Sequence, residues 1–238
     1  SPESKWHGWG WPDPLSHDDY GSFEPLDTRE RPYVVSDPPA GLGYFVNLNA
    51  PTSLNVSGSG LSTRISYEVK LTYGQGRYRG WNMIGCPFPE AVTWGAVQFV
   101  TNGVRQDLRE AISSKVTEGV LFSLARSGSQ TYYDFPSDPL AGAVEPWKGY
   151  WVHVLKDTTL VMYNSVITSD AKEAAAEERA RPTATEWCLR FGASVAGGCD
   201  PANYVAISAA ATDGYDAGVD VPEPPALDSP VRVCMTRD

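Results

Sequence analysis

The segment from Leu61 to Tyr73 alternates in polarity and thereby restricts the fold class. From Ile65 to Tyr73 every second residue is apolar or aromatic, and the residues between them are polar or charged. This period of two is typical of a strand with one buried face. Shorter apolar runs follow, separated by turn signals such as Asn102-Gly103. Short strands with frequent turns predict an all-β sandwich or barrel.

Several other segments carry strand patterns, and one carries the spacing of a short amphipathic helix. Leu108, Ala111 and Ile112 are spaced for one helix face, which predicts a helix from Val104 to Ser113. The further strand candidates are Tyr44–Leu48, Gly119–Ala125, Thr131–Phe135, Gly149–Val154 and Thr159–Tyr163.

Charge and hydropathy exclude two classes of partner. The formal net charge is −10, from 29 acidic and 19 basic residues. Non-specific nucleic-acid binding needs a basic face, so we expect no nucleic-acid partner. No apolar run approaches about 18 residues, so we expect no membrane span. The chain begins at Ser1 without a basic and apolar leader, which fits either a mature secreted product or a recombinant start.

Residues 1–40 form a segment rich in proline and aromatic residues. Seven prolines disfavour long helices and central strands in this segment. A flexible tail is the simplest interpretation, but large aromatic side chains lower solubility unless they are buried. We therefore expect an extended arm that packs on its own domain or on a neighbouring subunit. The predicted interface residues are Trp6, Trp9, Trp11, Tyr20 and Phe23.

Composition divides the rest of the chain into three parts. Residues 41–168 are predicted to form a β-sandwich module. Residues 169–184, rich in alanine and acidic residues, are predicted to form a solvated helical linker. Residues 185–238 carry strand patterns at Glu186–Phe191 and Val231–Met235. About 55 residues is small for an independent core, so this β module is expected to be incomplete without a disulfide, its neighbour or an added strand.

The four cysteines are spaced unlike metal or redox motifs. Cys86, Cys188, Cys199 and Cys234 form no C-x-x-C pair, which excludes the common zinc, thioredoxin-like and c-type haem sites. An even number of cysteines suits an oxidising compartment, and free thiols are the equal alternative. Because Cys188 and Cys234 lie on equivalent faces of two strands, we favour a 188–234 disulfide, which leaves Cys86 with Cys199.

Signals of catalysis are few. The three histidines are far apart, and His153 lies mid-strand beside Trp151, where a packed or surface histidine is expected rather than a base. The segment Gly192–Ala196 comes nearest to a nucleophile elbow but lacks the final glycine. We therefore predict no enzymatic activity and no catalytic residues.

An acidic loop and the tryptophans are the remaining binding candidates. Asp213, Asp216 and Asp220 lie in a glycine-containing loop, which makes calcium the one cofactor considered, with a solvated acidic loop as the alternative. Tryptophans of the arm can form a sugar-binding platform. The later ones are expected to fill the sandwich core: Trp81, Trp94, Trp147 and Trp151.

Three stretches resemble a pattern in large secreted or surface-attached bacterial proteins. They are Gly80–Pro89 (GWNMIGCPFP), Val92–Trp94 (VTW) and Pro146–Val152 (PWKGYWV). The later Asp213–Asp216 (DGYD) and Asp220–Pro225 (DVPEPP) look like the module that often follows. The resemblance covers roughly residues 42–238. It implies extracellular, immunoglobulin-like β-sandwich modules that usually lack catalytic residues, and it implies no ligand.

The sequence therefore favours a non-catalytic structural subunit of an extracellular bacterial filament or surface assembly. Its partners would be copies of itself in a homopolymer, joined by the N-terminal arm through strand addition. The alternative is a carbohydrate-binding module of a cell-surface system, with a glycan as partner. Both interpretations place the protein outside the cell or on its surface.

Overall fold

The computed structural model confirms the all-β fold class. It describes residues 6–10, 24–25, 40–48, 65–75, 79–127, 130–136, 138–165, 185–196, 198–209, 211–216, 220, 223–224 and 233. The predicted linker helix lies outside these residues. Within them, one α-helix is present, α1 (Leu108–Ser113), and no helix has the length and hydropathy to cross a membrane.

Fifteen strands occur in the described part of the chain, together with two 3-10 turns at Trp94–Ala96 and Pro139–Ala141. In chain order the strands are β1 (Trp6–Gly10), β2 (Glu24–Pro25), β3 (Tyr44–Leu48), β4 (Ser66–Leu71), β5 (Trp81–Gly85), β6 (Val92–Thr93), β7 (Gln98–Thr101), β8 (Val104–Asp107), β9 (Thr117–Ser127), β10 (Gln130–Asp134), β11 (Ala143–Val144), β12 (Gly149–Val154), β13 (Thr158–Tyr163), β14 (Thr185–Val195) and β15 (Gly198–Ser208).

Two four-stranded antiparallel sheets form a β-sandwich. Sheet I has the order β10-β9-β12-β5, and sheet II has the order β4-β13-β7-β8. Alternation in β4 is as predicted, since Val69 and Leu71 are buried while Glu68 and Lys70 are exposed. Both sheets contribute to the first core, which includes Val69, Leu71, Phe99, Leu160 and Met162 from sheet II and Ile84, Leu121, Val152 and Val154 from sheet I.

Sheet I is also buried on its other face. A second core there consists of Trp81, Met83, Val120, Phe122 and Trp151. The Trp81 ring meets Phe122 and Trp151 edge-on, with centroid distances of 5.6 and 6.3 Å. A strand that is buried on both faces does not alternate in polarity, which accounts for adjacent apolar pairs in β5 and β12: Ile84 and Val152 face the first core, and Met83 and Trp151 face the second.

The predicted helix from Val104 to Ser113 begins four residues late. Residues 104–107 instead form β8, which pairs with β7 across the Asn102-Gly103 turn. Both turn residues have positive φ, 52° and 78°, as a tight hairpin turn requires. Asp107 then begins α1 with a capping box in which it and Glu110 each accept a backbone N–H of the other.

Three of the four predicted core tryptophans are buried, and the fourth prediction is wrong. Trp81, Trp94 and Trp151 are at most 5% exposed, whereas Trp147 is 89% exposed. Trp147 lies in the turn between β11 and β12 with φ of 65°, a conformation that directs the chain back into β12. Its indole therefore projects from the turn and does not pack in either core.

The C-terminal part contains a long two-stranded hairpin, β14–β15. It includes the predicted strand Glu186–Phe191, and β15 lies beside β10 of sheet I. Of the other predicted strand, Val231–Met235, only Val233 is described, and its N–H donates to Asp200 Oδ2 at 2.7 Å. The described residues of this part thus form a hairpin beside the sandwich, with no second sandwich among them.

Two glycines with positive φ provide a matched test of this packing. A Cβ at Gly80 would overlap the Val154 carbonyl oxygen and lie 2.8 Å from His153 Nε2, whereas a Cβ at Gly103 would meet nothing within 4 Å. We expect Gly103→Ala to lower the free energy of unfolding by about 1–2 kcal/mol, the cost of the left-handed backbone alone. Gly80→Ala adds overpacking, for a total loss of about 3 kcal/mol or more. Urea unfolding checks this, and equal losses would contradict the packing around Gly80.

Candidate functional site

The N-terminal arm supplies two strands to a separate three-stranded sheet. β1 lies between β2 and β3 and is antiparallel to both. Its ladder with β3 covers five residue pairs, from Trp6 opposite Leu48 to Gly10 opposite Tyr44. The predicted interface residues Trp6 and Trp9 therefore lie on one strand. The other three, Trp11, Tyr20 and Phe23, lie outside the described residues.

β3 is anchored to the sandwich through closely packed glycines. Gly85 N–H donates to Gly41 O at 2.9 Å, and Gly43 N–H donates to Met83 O at 3.2 Å. A Cβ at Gly43 would lie 2.6 Å from Ile84 O, and a Cβ at Gly85 would lie 2.8 Å from Leu42 O. The chain at Gly41–Gly43 thus lies against the free edge of β5, at a distance that only glycine allows.

Residues of the GWN motif join β5 to its surroundings. Asn82 Oδ1 accepts the Thr72 N–H at 3.0 Å, while Asn82 Nδ2 donates to Thr72 O and to Gly80 O. Gly80 O in turn accepts the Val154 N–H at 2.8 Å. Since Trp81 belongs to the second core, all three residues of this motif hold the fold together.

The other motif residues also have structural contacts. Trp94 Nε1 donates to Gly119 O at 2.7 Å, and Trp151 Nε1 donates to the Tyr133 hydroxyl at 3.0 Å. Tyr150 accepts the N–H of Glu145 at 3.1 Å, which fixes the turn that carries Trp147. Buried indoles need such hydrogen-bond partners, so these tryptophans serve the core and its polar connections.

A β-bulge between β9 and β12 brings two titratable side chains together. Val152 pairs with Leu121 and Val154 pairs with Thr117, so that His153 stands opposite the segment Glu118–Val120. Thr117 Oγ1 donates to His153 O at 2.7 Å and holds the bulge closed. Bulges redirect side chains, and this one places Glu118 and His153 side by side.

Glu118 is the most deeply buried charged group of the described residues and accepts a hydrogen bond from Tyr215 of the C-terminal segment. It is 2% exposed, and the Tyr215 hydroxyl donates to its Oε1. His153 Nδ1 lies 3.6 Å from the same oxygen, beyond hydrogen-bond distance. The His153 ring packs on Trp81 with a centroid distance of 4.9 Å. We refer to Glu118, His153 and Tyr215 as the polar cluster.

The polar cluster keeps Tyr215 in its protonated form. Although Tyr215 is 51% exposed, partial burial raises the pKa of its phenol above the ordinary value, and the hydrogen bond and charge of Glu118 raise it further, with Asp220 and Tyr73 adding to the effect. The phenol therefore remains a hydrogen-bond donor to the buried carboxylate. This contact joins residues 97 positions apart, on the sandwich and on the C-terminal segment.

The acidic loop is a hydrogen-bonded turn, and calcium binding there stays a prediction. Asp216 Oδ1 accepts the Thr212 hydroxyl at 2.9 Å, and Asp220 Oδ2 accepts the Asp216 N–H at 2.8 Å. Asp220 N–H donates back to Asp216 O. The carboxylates of Asp216 and Asp220 thus brace the loop around Tyr215. In the described residues, no group of three His, Cys, Asp or Glu side chains, Asp213 included, is arranged to hold a metal ion.

The predicted disulfide between Cys86 and Cys199 is absent, since both are free thiols. Cys86 lies in the turn after β5, where its Sγ donates to Phe88 O and Glu90 O at 3.3 and 3.2 Å, and burial raises the pKa of its thiol. Cys199 begins the second strand of the β14–β15 hairpin. The 188–234 pairing remains a prediction, because the Cys188 side chain and Cys234 lie outside the described part.

Comparison with known proteins places the chain in no family. No family model, no curated protein and no solved structure matches it.

Sequence reasoning missed Glu118 and Tyr215 as partners. Glu118 lies between Val116 and the apolar stretch Val120–Phe122, and a lone charge beside such a stretch indicates either an exposed edge or a buried contact. Tyr215, the partner of Glu118, lies 97 positions along the chain, in the loop whose aspartates had suggested a calcium site. His153 was expected to be packed or on the surface, and the structure places it against Trp81 beside the buried carboxylate.

Removing the Tyr215 hydroxyl tests the polar cluster. We expect Tyr215→Phe to lower the free energy of unfolding by about 1–3 kcal/mol near neutral pH, because the buried Glu118 loses a donor. The raised pKa means that Tyr215 stabilises the fold fully below about pH 10, and that this stability is lost as pH rises further.

Urea unfolding between pH 7 and 11 measures both effects. The wild-type protein should lose stability above pH 10 more steeply than Tyr215→Phe does. Tyr132→Phe, in β10, is the matched control, because it removes a tyrosine hydroxyl that lies outside the polar cluster. A Tyr215→Phe variant as stable as this control would contradict the contact.

Proposed function

We propose that the protein is a non-catalytic structural subunit of an extracellular assembly whose copies are joined through the N-terminal arm. The observation that carries this proposal is the ladder between β1 and β3. It gives the arm the conformation of a strand that completes a sheet. Strand addition is a general mode of protein association, in which backbone hydrogen bonds supply affinity.

The arm has the properties of a separable connector. β1 and β2 pair with each other and with β3, and neither forms a ladder with sheet I or sheet II. The anchored element is β3, which continues from the glycines packed on β5. Without β1, β3 would expose unpaired N–H and C=O groups, and such an edge is a template for another chain.

The roles of the motif residues support a structural protein. Gly80, Trp81, Asn82, Trp94 and Trp151 are all engaged in packing or in backbone hydrogen bonds. The polar cluster joins two parts of the chain through a Tyr215 hydroxyl that stays protonated. The resemblance of Gly80–Pro89 and Pro146–Val152 to secreted and surface-attached bacterial proteins supports an extracellular location.

Deleting residues 1–23 tests the proposal. We expect the deletion to abolish multimers while leaving a folded monomer, because β1 is lost and both sandwich cores are retained. Light scattering after gel filtration reports mass, and negative-stain imaging of the native material reports whether it forms fibres.

Trp147→Ala serves as the matched control, because it removes an exposed indole outside the arm. This variant should assemble like the wild type. Unchanged polymers after the deletion would overturn the proposal, as would a wild-type protein that stays monomeric at every concentration tested.

A further inference from the structure

The β2-β1-β3 sheet is made from two parts of the chain with different attachments. β3 follows directly from Gly41–Gly43, which is bound to β5 by two backbone hydrogen bonds and by the bridge between Leu42 and Ile84. β1 and β2 come from the arm, and among the described residues the ladder with β3 is the one that joins them to the rest of the chain. β3 is therefore attached to the sandwich, and the strand that pairs with it, β1, belongs to the arm.

The connection between β2 and β3 is long enough to let the arm leave. Residues 26–39 separate β2 from the described chain at residue 40, and this stretch contains Pro32, Pro38 and Pro39. Fourteen residues of polypeptide can span at most about 45 Å. A compact module of the length of residues 41–168 has a radius of gyration of about 14 Å. The arm can thus reach beyond its own sandwich to a neighbouring one.

Pairing within one copy and pairing between copies would use the same ladder. The same backbone hydrogen bonds and the same register form in both cases, so protein concentration and the linker decide between them. Exchange of an identical element between copies is a low-cost route to association. A one-way exchange leaves one free arm and one open β3 at the two ends, so it continues into a filament.

We propose that β3 of one copy is the acceptor for β1 of the next, in the register that joins Trp6 to Leu48 and Gly10 to Tyr44. The partner is a second copy of this chain, and its binding element is residues 6–10 with β2 alongside. This inference rests on the proposed function and adds to it the acceptor strand and its register.

Two complementary variants test the acceptor. The acceptor-only variant lacks residues 1–23 and keeps β3. The donor-only variant keeps the arm and carries Phe45→Pro together with Val46→Pro. In an antiparallel ladder successive residues point their N–H groups to opposite sides. One of two adjacent residues therefore faces β1, and replacing both by proline removes that donor whichever of the two it is. Phe45→Thr with Val46→Thr is the control, because threonine keeps both donors and suits a strand.

Each variant alone should be monomeric, and an equimolar mixture should give a one-to-one dimer that grows no further, as measured by native mass spectrometry. The threonine control should assemble like the wild type. Because the described core residues all lie outside β3, tryptophan fluorescence unfolding should show that both variants keep a cooperative sandwich transition.

The outcomes separate this inference from the proposed function. If the acceptor-only variant forms multimers by itself, arm-mediated assembly fails as a whole. If the donor-only variant assembles like the wild type, or if the mixture stays monomeric while the wild type assembles, β3 is not the acceptor and only this inference is overturned.

Discussion

Strand β5 is the element on which the rest of the structure depends. Its Ile84 packs in the core between the two sheets, and its Trp81 packs in the second core on the other face of sheet I. The Asn82 side chain joins it by hydrogen bonds to Thr72, just after β4. Its free edge receives Gly41–Gly43 and so positions β3. The two cores and the arm-binding strand therefore share one short segment of five residues.

The polar cluster shows how the C-terminal segment is held to this framework. A buried carboxylate is costly unless hydrogen bonds compensate it. The bulge places Glu118 where the Tyr215 phenol can donate to it, and the aspartates of the acidic loop stabilise the turn that presents this tyrosine. Because β15 also lies beside β10, the C-terminal part contacts sheet I at two places. These contacts attach the β14–β15 hairpin and the acidic loop to the sandwich.

The sequence predicted the sandwich because its strands obey local rules. Alternation identified β4, and the Asn102-Gly103 dipeptide identified a turn, which the structure shows to be the turn of the β7–β8 hairpin. The start of α1 was misplaced because the helical spacing of Leu108, Ala111 and Ile112 says nothing about the pairing of residues 104–107 with β7. Trp147 was assigned to the core because its side chain is large and apolar. The sequence does not show that this residue lies in a turn with a positive φ, where its side chain is exposed.

The candidate site was less predictable than the fold. Trp6 and Trp9 were identified from composition, and the strand that holds them follows from pairing with a segment more than 30 residues away. The contact of Glu118 with Tyr215 crosses 97 positions, and no local pattern encodes such a distance. Where a site depends on one long-range pair, the fold must be known before the chemistry can be inferred.

Amide hydrogen exchange across Tyr44–Leu48 tests the central claim most directly, namely that β3 is an acceptor filled by an arm. The account predicts that the amides of this strand that face β1, those of alternate residues, are protected in the full-length protein and lose protection when residues 1–23 are deleted. It also predicts that protection returns when a peptide of residues 1–23 is added in trans, while amides of β5 and β12 stay protected throughout. Equal protection of Tyr44–Leu48 with and without the arm would contradict the account.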